Sequence, residues 1–123
     1  MSSQTQQYTS NQRFESNYTV DQQQIGTWVE TFHQQGCLFL EEVLTEEHCA
    51  QLRKDLNAKI NTENTGSGMK LHHRMFEYSP ANLNLFNLEP IVSFAEALVA
   101  PNCHIIHNNS FITPPGGGLS TWH

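Results

Sequence analysis

The amino-acid sequence predicts an α+β fold from the order in which its segments follow one another. Helical periodicity dominates the first half of the 123-residue chain, and extended apolar segments gather in the second half. Separate runs of helices and strands are typical of α+β proteins, and a β-barrel with helices packed outside it fits the same order. The predicted strands are too few to close a sheet, so we expect the barrel to be incomplete in this chain.

Three segments have the apolar spacing of amphipathic helices. They cover residues 20–35, 46–60 and 87–100. Gly36 is a natural stop for the first helix, Thr45 an N-cap for the second, and Pro90 suits the first turn of the third. Their apolar stripes are Ile25, Trp28, Val29 and Phe32; Cys49, Leu52, Leu56 and Ile60; and Ile91, Phe94, Ala95 and Leu98.

Three further segments have an extended pattern. We predict a strand or an extended segment over residues 37–44, and strands over residues 69–78 and 103–113. Residues 61–68 and 114–118 have the composition of loops, and residues 119–123 begin a further strand. Alternation along 69–78 divides its side chains into two faces, Leu71, His73 and Met75 on one and His72, Arg74 and Phe76 on the other.

The N-terminal end of the chain differs from the rest in composition. Residues 1–19 are rich in Gln, Ser, Asn and Thr, and such a segment buries too little apolar surface to order itself. We therefore predict a flexible polar leader over residues 1–19, with order beginning near Phe14 and Tyr18. Residues 20–123 form one predicted domain.

Charge and cysteine content exclude several kinds of partner and indicate the cellular location. The net charge is −6, and the six Lys and Arg residues are scattered. A surface that binds nucleic acid needs a basic patch, so we exclude nucleic acid. No apolar run approaches the roughly 20 residues that span a bilayer, and the polar N-terminus is no secretory signal. Three widely spaced cysteines fit reduced thiols and indicate a cytoplasmic protein.

Histidines near the C-terminus are the candidate metal ligands. His123 follows Trp122 at the start of a predicted strand, where a ligand two positions further on would share its face. A plain surface histidine is the alternative. His104 and His107 are three positions apart, which on a strand turns their rings to opposite faces. We therefore expect one core and one surface histidine there and no shared metal.

Polar side chains on the later strands are candidate ligand contacts. The guanidinium group of Arg74, next to His72 and His73, matches the geometry of a carboxylate. A solvated strand face is the alternative. Asn108 and Asn109 can hydrogen-bond to ligand oxygen atoms, or they mark a bulge or a strand end. The sequence has neither a phosphate-binding loop nor a recognisable nucleophile motif.

Three segments follow one another in the order found in a known enzyme family. VETFHQQGCLFLEEVLTEEHCAQLRKDL (29–56) matches the pattern of its N-terminal region, and LVAPNCHIIHNNSFITPP (98–115) that of its entry from helix to barrel strand. GGGLSTWH (116–123) matches the loop that leads into its W-H-x-D motif. Over residues ~25 to 123 the chain thus resembles the phytanoyl-CoA dioxygenase family.

The resemblance implies a non-haem Fe(II), 2-oxoglutarate-dependent dioxygenase with a double-stranded β-helix (jelly roll) and helices packed outside it. In this family two His and one carboxylate hold the iron, and 2-oxoglutarate and O₂ take its open positions. The implied reaction hydroxylates an aliphatic C–H bond of a small organic or lipid-like substrate. By position His123 corresponds to the first iron-binding histidine. Asn109 falls near a cosubstrate contact, and His72 or Arg74 can provide another.

The family's remaining iron ligands would follow His123. We therefore expect this chain to be the N-terminal portion of such an enzyme, inactive and poorly folded when expressed as given. The alternative is a non-catalytic jelly-roll binding module that has lost its metal site. A carboxylate two positions after His123 would support the enzyme. The sequence predicts neither the substrate nor the oligomeric state.

Overall fold

The computed structural model describes residues 13–62 and 70–115. Over these residues the fold mixes helices with a two-stranded antiparallel sheet that does not close, which is compatible with the α+β class. Residues 1–12 of the predicted leader, residues 63–69, and the segment 116–123 with His123 lie outside the described residues. The elements are α1 (Gln22–Gln35), α2 (Glu46–Thr62), β1 (Lys70–His72), α3 (Pro80–Asn84), α4 (Ile91–Leu98) and β2 (Ser110–Ile112).

The first helix, α1, begins and ends at residues with clear capping chemistry. The Asp21 carboxylate accepts a hydrogen bond from the Gln23 backbone N–H at 2.9 Å, which satisfies one of the unpaired donors of the first turn. Gly36 follows the helix with a left-handed φ of 75°, and its N–H donates to the Phe32 carbonyl. The predicted helix and its glycine stop are confirmed.

The second helix, α2, is capped as predicted, and its burial matches the predicted stripe only in part. The Thr45 hydroxyl accepts a hydrogen bond from the His48 backbone N–H at 3.2 Å. Along the helix His48 and Ile60 are buried, whereas Cys49 is only half-buried. The buried stripe therefore starts at His48, one position before the predicted Cys49.

The predicted strand 69–78 is wrong beyond His72. Arg74 adopts a left-handed conformation with φ 58° and ψ 49°, and Met75–Glu77 forms a 3-10 turn. This turn ends the strand alternation, so Met75 is buried while His73 and Arg74 are both exposed. Without the turn, a strand would have carried Met75 away from the interior.

A short helix that the sequence reading missed follows this turn. The Ser79 hydroxyl accepts a hydrogen bond from the Asn82 backbone N–H at 3.1 Å, and Pro80 occupies the first helical position of α3. Serine before proline is a standard helix start, so this pair is the local signal for α3. Ser79 also donates to the Asp55 carboxylate at 2.6 Å, which joins α3 to α2.

The remaining predicted strands are shorter than expected or replaced by irregular structure. Only Ser110–Ile112 of the segment 103–113 forms a strand, and it pairs with β1 through Lys70↔Ile112 and His72↔Ser110. The segment 37–44 makes a single bridge, between Leu44 and Ser16, and turns at Glu42 with φ 53°. The helix predicted at 87–100 is confirmed as α4, directly after Pro90.

The core lies where α1, α2 and the α3–α4 region meet the N-terminal segment. Phe32 of α1 and Phe94 of α4 make an edge-to-face contact with ring centroids 6.1 Å apart. Buried apolar side chains come from α1, α2, α3 and the segments before and between these elements, namely Phe14, Ile25, Ile60, Met75, Ala81 and Leu88. In the described part of the chain, no helix has the length and apolarity to cross a bilayer.

Candidate functional site

A cleft of about 480 Å³ opens at one end of the β1–β2 ribbon. Because the two strands are antiparallel and His72 pairs with Ser110, the residues after β1 and those before β2 meet at the same end. The cleft is lined by His73, Arg74, Phe76, Ile105, Ile106, His107, Asn108 and Asn109.

Backbone and side-chain hydrogen bonds of Asn108 hold the two walls of the cleft together. The Met75 N–H donates to the Asn108 carbonyl at 3.0 Å, and the Phe76 N–H donates to Asn108 Oδ1 at 2.8 Å. The Asn108 amide also donates to Asn82 Oδ1 at 3.4 Å, which connects the cleft to α3. One asparagine thus fixes the position of the wall that carries Arg74.

His73 and Asn109 form the second link across the cleft. His73 Nδ1 lies 3.0 Å from Asn109 Oδ1, although the residues are 36 positions apart. An amide oxygen only accepts, so the Nδ1–H of His73 donates to it. The Asn109 amide nitrogen is thereby left to donate to a ligand oxygen atom.

Arg74 provides the permanent positive charge of the cleft. Its side chain is 66% exposed, and its Nη2 lies 2.5 Å from Glu77 Oε1. The guanidinium carbon also lies 5.6 Å from the centre of the Phe76 ring. Exposed ion pairs are weak, and a guanidinium has five donors, so a ligand carboxylate can compete for Arg74 or share it.

The structure brings two of the predicted site residues together. Arg74 and Asn109 both line the cleft, whereas His72 does not. His72 is 8% exposed, and its ring contacts the edge of Tyr78 with centroids 4.8 Å apart. His123 lies outside the described residues.

The pair His104 and His107 differs from its prediction. Both residues are exposed, so the expected core histidine is wrong. The strand that would have turned one ring inward is absent at 103–109, and His107 lines the cleft instead.

The donors of the described residues suit an organic anion better than a metal ion. Within 13–62 and 70–115, no three His, Cys, Asp or Glu side chains come together as possible metal ligands. The cleft instead combines a guanidinium group, amides and imidazoles with apolar side chains. This set can bind and orient a carboxylate-bearing small molecule.

Sequence reasoning missed His73, Phe76 and the bridging role of Asn108. It favoured Asn109 over Asn108, but Asn108 makes the hydrogen bonds that shape the cleft. The local signal for a polar cluster in this part of the chain is the pair of consecutive asparagines, Asn108 and Asn109. Their partners depend on strand register, which no local pattern contains.

Comparison with known proteins finds no relative, since no protein-family model, no curated protein and no solved structure matches the chain. The resemblance of segments 29–56, 98–115 and 116–123 to an oxygenase family therefore stays a prediction. The side chains that line the cleft also bear on function, because they indicate which ligands the cleft can bind.

Proposed function

We propose that this chain is the N-terminal portion of a non-haem Fe(II), 2-oxoglutarate-dependent dioxygenase that hydroxylates an aliphatic C–H bond of a small organic or lipid-like substrate. The observation that carries the proposal is the shared cleft of Arg74 and Asn109. The sequence predicts both residues as cosubstrate contacts. Under this proposal β1 and β2 belong to the first part of a jelly roll, and the free thiols of Cys37, Cys49 and Cys103 fit a reducing cytoplasm.

The cleft residues divide the work of holding 2-oxoglutarate. Arg74 pairs with a carboxylate through its guanidinium fork. The amide nitrogen of Asn109 donates to a second oxygen atom, because its own oxygen already accepts from His73. Phe76 and Ile105 line the same cleft and offer apolar surface to the carbon chain of the ligand.

The iron requires donors other than those of the cleft. The described residues fit the carboxylates of the cosubstrate and do not by themselves form a metal site. In the proposal His123 is the first iron ligand, and the others follow it in the polypeptide. Bound iron and O₂ supply the oxidation, and the cleft binds and orients the cosubstrate.

Cosubstrate binding is tested by titrating the 123-residue chain, after circular dichroism has established that it is folded, with 2-oxoglutarate in a calorimeter. We expect Arg74→Gln to weaken binding about tenfold or more, since a charge-assisted hydrogen bond contributes about 1.5–3 kcal/mol. Arg53→Gln is the matched control, because Arg53 is exposed on α2 and does not line the cleft. Equal binding of the neutral dimethyl ester, or no effect of Arg74→Gln, would contradict the assignment of the cleft.

A second experiment separates the enzyme from a jelly-roll binding module without a metal. The native transcript is sequenced past codon 123, and its full product is assayed for iron-dependent turnover of 2-oxoglutarate. An acidic residue two positions after His123, together with turnover, supports the enzyme. Another residue there, with 2-oxoglutarate binding that does not depend on iron, supports the binding module.

A further inference from the structure

A second cavity, an apolar groove of about 410 Å³, lies between α4 and the extended segment before α2. We refer to it as the α4 groove. The helix contributes a stripe at i, i+3, i+4 and i+7, and the segment contributes four apolar side chains. The lining residues are Leu38, Leu40, Val43, Leu44, Pro90, Ile91, Phe94, Ala95, Leu98 and Val99.

Two of the ten lining residues are exposed and seven are half-buried. Val99 is 71% exposed and Ile91 is 40% exposed, although both line the α4 groove. Phe39, between two lining leucines, is 81% exposed. Contiguous exposed apolar surface of this kind typically marks a site of interaction.

The two segments that form the α4 groove carry exposed acidic side chains close in sequence to the lining residues. Glu41 and Glu42 lie between the lining residues Leu40 and Val43, and both are exposed. Glu96, also exposed, follows Ala95 on α4. The two segments that form the groove, 37–44 and 89–100, contain no Lys and no Arg.

We infer that the α4 groove docks a short amphipathic helix of a partner protein, with apolar anchors in the groove and Lys or Arg at its flanks. An eight-residue helix such as α4 is about 12 Å long, so the groove matches about two turns of a partner helix. Helices that bind grooves use anchors at i, i+3 or i+4 and i+7. The flanking cations of the partner face Glu41, Glu42 and Glu96.

Charge argues against a second copy of the chain and against an anionic lipid surface as occupants of the α4 groove. A second copy of the chain carries the same net charge of −6 and approaches with electrostatic repulsion. An anionic lipid surface attracts basic segments, and the acidic surroundings of the groove repel it. A cationic amphipathic helix can pack its apolar side chains on the lining residues and pair its cations with Glu41, Glu42 and Glu96.

The test uses fluorescence anisotropy of a labelled synthetic peptide mixed with the 123-residue chain. The peptide has about 14 residues, enough to form a helix, with Leu at i, i+3, i+4 and i+7 and Lys on both flanks. We expect saturable binding that weakens with salt. A peptide with Glu in place of Lys, and one with Ser in place of Leu, should bind much more weakly.

Two variants locate the binding surface. Glu41→Gln with Glu42→Gln should weaken binding roughly three- to tenfold. The control is Glu15→Gln with Glu30→Gln, which removes two exposed charges outside the groove. Val99→Lys should abolish binding by placing a cation in the groove, whereas Leu83→Lys, at a 52% exposed site on α3 that lines neither cavity, should not. Circular dichroism checks that each variant folds.

Three outcomes would overturn the proposal. The first is a peptide affinity that stays the same both in the variant with Glu41→Gln and Glu42→Gln and in Val99→Lys. The second is self-association of the chain in sedimentation experiments that Val99→Lys abolishes, which assigns the groove to a second copy. The third is binding to phosphatidylglycerol vesicles that the same variant abolishes, which assigns it to a membrane surface.

Discussion

The imidazole ring of His48 lies flat on the phenyl ring of Phe14, with centroids 4.4 Å apart and planes inclined by 9°. Both side chains are buried. His48 Nε2 donates to the Ala81 carbonyl at 2.8 Å, and the Phe14 backbone N–H donates to Asn84 Oδ1 at 2.5 Å. The stack therefore ties the N-terminal segment to α2 and α3 at one point.

Removing the aromatic ring of Phe14 tests how much this stack contributes to folding. Phe14→Ala should lower the free energy of unfolding by about 3 kcal/mol, within the range for buried phenylalanine truncations. Phe39→Ala is the control: Phe39 is 81% exposed, and its truncation should change stability by no more than about 0.5 kcal/mol. Urea denaturation followed by circular dichroism measures both. Equal effects of the two substitutions would show that the N-terminal segment is not part of the folded core.

The helices could be predicted because their signals are local. The spacing of Ile25 and Phe32 and the stop at Gly36 lie within one segment, and α1 follows them closely. His48 could not be placed this way, since a polar residue in an apolar stripe is invisible to hydropathy. Its burial depends on Phe14 and Ala81, which are distant in sequence.

Gly26, within α1, and Gly36, directly after it, should respond to alanine with opposite signs. Gly26 lies within the helix with nothing near its added Cβ, so Gly26→Ala should stabilise the protein by about 0.5–1 kcal/mol through helix propensity. Gly36 has equal space but a φ of 75°, so Gly36→Ala should destabilise it by about 1 kcal/mol. Thermal unfolding measures the pair. A shift of the same sign for both would contradict the left-handed end of α1.

Strands were predicted too long because pairing is not a local property. Alternation along 69–78 fits a strand, but only three residues find a partner in β2. The segment instead turns at Arg74 to bury Met75, which is fully buried. Arg74 and Asn109 could be predicted as ligand contacts from their side-chain chemistry. That they line the same cleft depends on the pairing of His72 with Ser110, which is not a local signal.

The backbone of Arg74 is held in a conformation that its side chain disfavours. A non-glycine residue in the left-handed region loses roughly 1 kcal/mol or more, and such residues are often functional. Arg74→Gly should therefore raise or preserve stability, while it abolishes the binding of 2-oxoglutarate. Urea denaturation and calorimetry on the same preparation measure the two effects. Loss of stability by about 1 kcal/mol or more would mean that the contacts of Arg74 with Glu77 and Phe76 outweigh the strain.

Competition by Glu77 should limit the affinity of the cleft for anions. Glu77 Oε1 lies 2.5 Å from the Arg74 guanidinium, and a ligand carboxylate must share or displace it. Glu77→Gln should strengthen 2-oxoglutarate binding roughly two- to fivefold, as expected for the loss of an exposed ion pair. Glu30→Gln, an exposed acid on α1, is the control for the change in net charge. Calorimetric affinities that fall with Glu77→Gln would indicate that Glu77 positions Arg74 for the ligand.

Asn108 should be the residue on which the shape of the cleft depends. Asn108→Ala removes the acceptor of the Phe76 N–H and the donor to Asn82, and we expect a loss of about 1–2 kcal/mol in stability. Asn108→Asp keeps an acceptor for Phe76 but loses the donor to Asn82, and it adds a negative charge to the cleft. It should therefore retain more stability than the alanine variant and bind 2-oxoglutarate more weakly. Urea denaturation and calorimetry separate the two roles, because a purely structural asparagine would lose affinity only in proportion to stability.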